Sequence, residues 1–303
     1  DELKAVYCIG ENPADSEADV KHARAMLERL DVLVVQDVFL TRTAQMADVV
    51  LPAALGWAES DGTVTNSERR VQRMRAAIPP PGEARQEIGI INDLAAQMGD
   101  GGWGNPTAEE LWEELRTVSP MHAGMSWERL ETEGGIQWPC PTKDHPGSPF
   151  LHGRLWERPA GGRLAPFSCV EDRRPLDELS DEFPLRLTTV RALDSYNTGV
   201  QTDKYSSPIR TGEALEISPA DAADLGVVEG ERVNVSSRRG AIEMTIGIDQ
   251  HLAVGLCHTT FHFPETTDIN QITSDAVDPK SGTAEFKAAA VRVDKLVGVA
   301  TGA

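Results

Sequence analysis

A single arginine stands between an apolar strand pattern and a polar turn in the stretch LTTVRALDSYNTG, residues 187–199. Leu187 and Val190 belong to the apolar pattern, Arg191 follows it, and Gly199 ends the turn. A guanidinium in this position is usually solvated, but it can also bind the oxygen atoms of a phosphate. Which of these applies depends on the elements that surround Arg191.

Three polar segments have the composition of nucleotide-binding loops: GENPADS at 10–16, QDVFLTRT at 36–43 and ESDGTVTN at 59–66. They combine glycine or proline with carboxylates and amides that can pair with base edges, and with hydroxyls that can pair with phosphate or ribose. A single loop of this composition is more often a plain turn, and neither a GxGxxG fingerprint nor a P-loop motif occurs. All three follow predicted strands, and parallel α/β sheets bind ligands beyond the carboxyl ends of their strands. The sequence therefore predicts a site at this sheet edge.

Two residues near the C-terminal end of the sequence could contribute to such a site. His262 lies where a predicted strand gives way to the polar loop FPETTDIN, and Lys287 enters the last predicted strand. The alternatives are an imidazole satisfied by the backbone and a lysine that solvates a sheet edge. The histidines are dispersed, so no pairing of a nucleophile with a base can be argued. Cys257 and His258 should point to opposite faces of one strand, which favours structural roles.

The first part of the chain has the pattern of a partial parallel-sheet α/β domain. Apolar runs at 5–10, 31–37 and 49–53 predict strands, and apolar residues at helical spacing from Val20 to Leu30 predict a helix. The continuous run DVLVVQD is typical of a strand buried on both faces. Further helices are expected at 88–98 and after Thr107, where Glu110 completes a capping box.

The residue composition and the apolar pattern of the sequence change twice along the chain. Residues 119–181 are rich in Pro, Gly and Trp and predict an irregular connection packed on the α/β part. From Phe183 onward, alternating apolar residues predict a β-rich barrel or sandwich with a short helix from Pro219 to Gly226. We therefore divide the chain into an α/β cofactor-binding domain at 1–104, a connecting region at 105–182 and a β-barrel domain at 183–303.

Composition limits the classes of function. The 303 residues carry a formal net charge of −19, which argues against a nucleic-acid partner or an anionic-membrane surface. No apolar run is long enough for a membrane span. The four cysteines form no CxxC pair, which argues against a local metal site and favours a reduced, cytoplasmic protein. Because the chain starts at Asp1 with a strand pattern at Ala5, we interpret it as a fragment or a split subunit.

Several segments together resemble the molybdenum- or tungsten-dependent formate dehydrogenases, within the molybdopterin oxidoreductases of the dimethyl-sulfoxide-reductase class. The segments that carry this resemblance are GENP, QDVFLTRTAQMADVVLPA, ESDGTVTNSERRVQ, GIQWPCP, LTTVRALDSYNTG, SPADAADLG and DPKSGTAEFKAAAVRV. They occur in order and at matching spacings over nearly the whole chain. The resemblance implies the C-terminal part of a catalytic (alpha) subunit, in which residues from about Phe183 form a double-psi β-barrel.

The resemblance implies a bis-(molybdopterin guanine dinucleotide) cofactor with Mo or W, and cofactor-binding roles for residues in both parts of the chain. In the α/β part these residues are Gly10, Glu11, Asn12, Ser16, Asp37, Thr41 and Glu87. In the barrel part they are Arg191, Ser195, Tyr196, His262, Phe286 and Lys287. Carboxylates suit the N–H donors of guanine, whereas Arg and Lys suit pyrophosphate and pterin oxygens. Ala53, Ala192 and Ser195 replace polar or imidazole residues found in some relatives, and Phe286 lacks the hydroxyl of the tyrosine sometimes found there.

The resemblance also implies what lies outside this chain. The metal ligand, the catalytic residues and a 4Fe-4S cluster belong to the N-terminal part of the alpha subunit, so no residue here is expected to be catalytic or to bind metal. The implied partners are that N-terminal part, iron–sulfur or diaphorase-type electron-transfer subunits, and formate. NAD, ferredoxin or a hydrogenase could accept the electrons. Two alternatives remain: a nitrate or arsenate reductase, and a cofactor-free structural homologue as in respiratory complex I.

Overall fold

A computed structural model describes residues 2–101, 103–152, 167–193, 195–199 and 212–296. The chain forms two compact units, one made of residues 1–50 and 172–303 and the other of residues 51–171. The boundaries predicted at 104/105 and 182/183 remain a prediction. Within the described residues, no helix is both long enough and apolar enough to cross a bilayer.

The first fifty residues contain a parallel sheet, as the sequence predicts. Its strands are β1 (Ala5–Ile9), β2 (Val32–Asp37) and β3 (Val49–Pro52), in the order β1-β2-β3. Three helices accompany them: α1 (Pro13–Ser16), α2 (Val20–Leu27) and α3 (Arg42–Met46). The core of this layer contains Cys8, Leu33, Val35 and Ala44. Because side chains alternate along a strand, Val32 lies on the other face and is 44% exposed. The prediction that β2 is buried on both faces is therefore wrong at Val32.

The unit of residues 51–171 combines short helices with an antiparallel sheet. Its helices are α4 (Gly56–Glu59), α5 (Glu87–Gln97), α6 (Ala108–Val118) and α7 (Trp127–Glu133), and its strands are β4 (Gly62–Thr65), β5 (Arg70–Met74) and β6 (Ile136–Gln137). The capping box of Thr107 and Glu110 is confirmed at the start of α6. Helix α7 and strand β6 lie in the segment expected to be irregular. Helix α7 is capped at its start by Ser126, which accepts from the Arg129 amide, and at its end by the left-handed Gly134.

The barrel predicted from Phe183 onward is a closed six-stranded barrel. Its strands are β7 (Leu185–Thr189), β8 (Ala214–Ile217), β9 (Arg232–Ser237), β10 (Gly240–Ile248), β11 (Leu256–Thr259) and β12 (Ala289–Lys295), in the order β10-β8-β11-β7-β12-β9. Strands β10/β8 and β11/β7 pair in parallel, and the other neighbours pair antiparallel. Helix α8 (Pro219–Leu225) begins after Ser218 and ends at the left-handed Gly226, as predicted. The double-psi designation remains a prediction.

A buried carboxylate fastens the segment before the barrel to the barrel itself. Asp177 is 2% exposed at its side chain, and it pairs with Arg238 and, at 3.0 Å, with Arg239 in the turn between β9 and β10. The same carboxylate accepts a 2.9 Å hydrogen bond from the Ala290 amide in β12. The carbonyl oxygen of Asp177 accepts from Arg186 of β7 at 2.6 Å. Asp177 therefore contacts β7, the turn between β9 and β10, and β12, which are far apart in the sequence.

Candidate functional site

A cavity of about 590 Å³ lies beside the loop that follows β2, within the unit that contains the barrel. The residues that line it are Asp15, Phe39, Leu40, Thr41, Arg42, Gln45, Gly199, His262, Phe263 and Glu265. Its size falls in the usual range for sites that hold small molecules and cofactors. Two predicted site residues from distant parts of the sequence, Thr41 and His262, meet in this cavity.

The wall from the α/β layer is held by short polar contacts. Asn12 is buried, and its Oδ1 accepts from the Thr43 hydroxyl at 2.8 Å and from the Thr43 amide at 3.2 Å. The Asn12 amide group donates to Asp15 at 2.9 Å. Thr41 caps α3 by accepting from the Ala44 amide at 3.1 Å. Asn12 and Thr41 thus fix the loop conformation of this wall, and half-buried Ser16 ends α1 beside it.

The wall from the barrel depends on a close approach between two loops. The Nδ1 of buried His262 lies 2.8 Å from the carbonyl oxygen of Tyr196, which can only accept, so Nδ1 carries the proton. Gly199 has φ +72, and a Cβ built there would lie 2.0 Å from the His262 carbonyl oxygen. Glycine is required at this position because both the backbone conformation and the available space exclude a side chain. The polar turn that ends LTTVRALDSYNTG is therefore packed onto His262.

Two cations lie together at the end of β7. Arg191 donates to Asn197 at 2.9 Å, and the Lys287 ammonium donates to the carbonyl oxygen of Thr189. Burial, and then the positive charge of Arg191, lower the pKa of Lys287. Phe286 contributes its carbonyl oxygen, which accepts from the Thr189 hydroxyl at 3.4 Å. A lysine whose pKa is lowered beside a second cation favours an anionic partner.

The predicted residues at the strand ends have less uniform surroundings. Gly10 has φ +64 and donates its amide to Gln36 at 2.9 Å, while Glu11 is exposed. Asp37 accepts from the Phe39 amide at 2.9 Å. Burial raises the pKa of Asp37, and the backbone hydrogen bonds act against it. Glu87 begins α5 in the other unit, so its role remains a prediction.

The cavity contains residues that the sequence did not single out. These are Asp15, Phe39, Leu40, Arg42, Gln45, Phe263 and Glu265. Asp15 and Arg42 lie inside the polar loops described above, yet charged residues in loops are normally solvated, so nothing marked them individually. In the structure Asp15 is 2% exposed. Such a buried carboxylate must have charged partners, and these are distant in sequence.

Several of these features fit a polar, anionic ligand such as a pterin dinucleotide. The Ser195 hydroxyl is fully buried and has no hydrogen-bond partner within the described part of the chain. A buried hydroxyl without a partner is costly, and a polar ligand would relieve that cost. Arg191 and Lys287 supply positive charge at the end of β7, outside the lining of the cavity. Phe39 and Phe263 supply apolar surface within the cavity. The residues present therefore fit the group that the sequence resemblance implies.

Comparison with known proteins places these features in a family. Residues 1–97 match the model "Molybdopterin oxidoreductase", and residues 185–290 match the "Molydopterin dinucleotide binding domain". The chain is 44% identical to the F420-dependent formate dehydrogenase 2 subunit alpha of Methanococcus maripaludis, over 98% of this chain and 44% of that relative. It is 34% identical to the assimilatory nitrate reductase catalytic subunit of Bacillus subtilis, over 96% of this chain and 42% of that relative.

The fold comparison agrees with the sequence comparison. The acetylene hydratase of Pelobacter acetylenicus has a TM-score of 0.72, with 97% of this chain and 44% of that chain covered at 22% identity. At that identity, the likeness concerns the fold. The chain spans less than half the length of these relatives. Both domain models match in order, so residues 1–97 belong to the molybdopterin oxidoreductase family and residues 185–290 are its dinucleotide-binding domain.

Proposed function

We propose that this chain is the C-terminal part of a formate dehydrogenase alpha subunit and binds a bis-(molybdopterin guanine dinucleotide) with Mo or W. The observation that carries the proposal is the meeting of Thr41 and His262 in one cavity, in a chain of this family. The two residues come from the two segments matched by the domain models. A ligand in the cavity would contact both segments.

The chain's own residues would bind and orient the cofactor. Asn12 and Thr41 would keep the loop after β2 in shape for a nucleotide. The Ser195 hydroxyl would pair with a polar group of the pterin, and Arg191 and Lys287 would neutralise phosphate or pterin oxygens. Asp37 would accept from guanine, and Gly10, Glu11, Ser16, Tyr196 and Phe286 complete the proposed contacts of this unit. Glu87 stays a predicted acidic ligand of the other unit. Two-electron redox chemistry is what the metal–pterin group supplies when bound.

Formate is the substrate that the relatives support best. The relative at 44% identity is named a formate dehydrogenase subunit, whereas the nitrate reductase is 34% identical. The test uses the purified enzyme that contains this chain, assayed for formate oxidation to CO₂ and for nitrate reduction with the same artificial electron carrier. Formate oxidation without nitrate reduction supports the proposal. Nitrate reduction alone would replace it with the second candidate.

The metal ligand, the catalytic residues and the 4Fe-4S cluster belong, in this proposal, to the rest of the subunit. Purified 303-residue chain should therefore not oxidise formate unaided, and turnover by that chain alone would refute this part of the proposal. A cofactor-free homologue, as in respiratory complex I, is the remaining alternative. The cations Arg191 and Lys287 argue against it, because a scaffold without cofactor has no need for two neighbouring charges of one sign.

The electron acceptor and the cellular location are further parts of the proposal. Electrons would pass through iron–sulfur clusters to an electron-transfer subunit, which could be of the diaphorase type. F420 is the acceptor named for the Methanococcus maripaludis relative, so it should be assayed first, beside NAD and ferredoxin. A cytoplasmic location is expected from the unpaired cysteines. Cell fractionation with an antibody to the chain would test it.

A further inference from the structure

One residue of the cavity carries unused hydrogen-bonding capacity. Arg42 begins α3, its side chain is 34% exposed, and it lines the cavity. Within the described residues, its guanidinium is held at Nε by Asp15 at 2.8 Å, and the nearest other carboxylate is 3.9 Å from Nη1. A guanidinium offers a planar set of N–H donors that suits the oxygens of phosphate. Arg42 can therefore serve a ligand without breaking a hydrogen bond inside the protein.

Asp15 determines where that guanidinium lies. The Nε of Arg42 is 2.8 Å from Oδ1 of Asp15, whose side chain is 2% exposed. Asp15 is itself held by Asn12 at 2.9 Å and by Arg24 at 3.0 Å. Its carbonyl oxygen accepts from buried Asn270 at 2.9 Å. A carboxylate fixed from so many sides gives Arg42 a defined anchor at Nε.

The charge around Arg42 is balanced by a second carboxylate that is not in the cavity. Asp268 lies 2.8 Å from Nη1 of Arg24, but 3.9 Å from Nη1 of Arg42. Asp268 is therefore primarily the partner of Arg24. Arg42 relies on Asp15, and its Nη groups remain available to donate to the oxygens of a ligand.

We propose that Arg42 binds an anionic phosphate of the dinucleotide in this cavity and that Asp15 is the positioning residue that orients Arg42. This inference rests on the proposed function, because the dinucleotide supplies the phosphate. It assigns the phosphate contact to Arg42 in addition to Arg191 and Lys287. The inference also predicts that removing the negative charge of Asp15 weakens phosphate binding, which is the opposite of what electrostatics alone would give.

The charge of Asp15 and its positioning role predict opposite effects of an Asp15 replacement on phosphate binding. Replacing Asp15 with Asn removes a negative charge beside the cavity, so long-range electrostatics alone would strengthen the binding of a phosphate. Loss of positioning would weaken that binding, since Arg42 would no longer be held in place. Asp268→Asn makes the same change in charge and leaves the Arg42–Asp15 pair intact. The two variants therefore separate charge from position.

The experiment uses the purified enzyme assembled with its natural partners, and measures guanine nucleotide together with Mo or W after a fixed dialysis. Arg42→Gln and Asp15→Asn should each release guanine nucleotide on the order of tenfold faster than wild type, the loss expected for a charged hydrogen bond. The double variant should release it no faster than Arg42→Gln alone, because Asp15 acts through Arg42. Asp268→Asn should release it no faster than wild type.

Each other outcome counts against the proposal. Wild-type release from both Arg42→Gln and Asp15→Asn would overturn the inference while the proposed function stands. An additive double variant would show that Asp15 acts through the fold and not through Arg42. If Asp15→Asn does not fold, Arg42→Lys decides: it keeps the charge but loses the planar donors, so wild-type release would overturn the phosphate contact. Wild-type enzyme without guanine nucleotide or metal would overturn the proposed function and this inference together.

Discussion

Gly199 and His262 lie so close that a Cβ on the glycine would stand 2.0 Å from the histidine's carbonyl oxygen. This approach brings the turn after Arg191 against the loop after β11, and both loops line the cavity. The shape of the cavity therefore depends on a position that has no side chain.

Gly199→Ala should destabilise the protein and loosen the cavity wall. The left-handed backbone at φ +72 alone would cost about 1–3 kcal/mol, and the clash with His262 adds to that cost. Thermal unfolding should show a lower Tm. Gly255→Ala is the matched control, because Gly255 also has a positive φ (+82) and a Cβ there meets nothing within 4 Å among the described residues. Equal Tm values for the two variants would contradict the role of the close approach.

Ser195→Ala should weaken cofactor binding without destabilising the cofactor-free protein. The hydroxyl is buried without a partner in the part of the chain that the structure describes, so its removal should raise the unfolding free energy of the cofactor-free protein by about 1–3 kcal/mol. The purified enzyme should nevertheless retain less metal and guanine nucleotide than wild type. Full retention by the Ser195→Ala enzyme would remove Ser195 from the proposed contacts.

The pair Arg191 and Lys287 predicts a pH dependence with a definite sign. Because the pKa of Lys287 is lowered in the folded protein, the unfolded chain binds more protons between the folded and the ordinary lysine pKa. The unfolding free energy contributed by Lys287 should therefore rise with pH across that interval. Arg191→Ala removes the second cause of the shift and should flatten this rise, but burial will preserve most of it.

Denaturant unfolding of the cofactor-free protein at a series of alkaline pH values measures this effect. Lys287→Met is the control, because it removes the titrating group and should remove the whole contribution. A slope unchanged in both variants would contradict the assignment. Arg191→Ala should also reduce metal retention in the purified enzyme, and full metal occupancy in that variant would refute its cofactor role.

Asp177 should contribute strongly to the stability of the barrel unit. Asp177→Ala would leave Arg238 and Arg239 without their shared carboxylate, and would leave the Ala290 amide without an acceptor. Breaking a buried ion pair on one side costs about 3–5 kcal/mol. Asp181→Ala changes an exposed carboxylate in the same segment and should stay within about 0.5 kcal/mol of wild type. Urea unfolding would contradict this account if the two variants were equally stable.

Local elements of this fold follow from the sequence, whereas the buried charge pairs do not. The run DVLVVQD predicts β2, and Thr107 with Glu110 predicts the start of α6, because both signals lie within a few residues. The short strand β8, only four residues long, gave too weak a pattern to be predicted. Asp15 and Arg42 gave no signal, since ion pairing between distant loops is set by the tertiary structure.

The candidate site shows the same division. Thr41 and His262 were predicted by motif, and the structure brings both into one cavity. Arg191 and Lys287 were predicted by motif and lie together at the end of β7. No pattern in the sequence predicts that Gly199 approaches His262, because that contact depends on how two loops of the barrel pack.

The central claim is that this chain binds a molybdopterin guanine dinucleotide, and the most direct measurement is the cofactor content of the purified enzyme. Elemental analysis for Mo and W should be combined with quantification of the guanine nucleotide released by acid. We predict about one metal per enzyme and about two guanines per metal, as a bis-dinucleotide requires. An enzyme that is folded and complete in its subunits but contains neither metal nor guanine would contradict the claim.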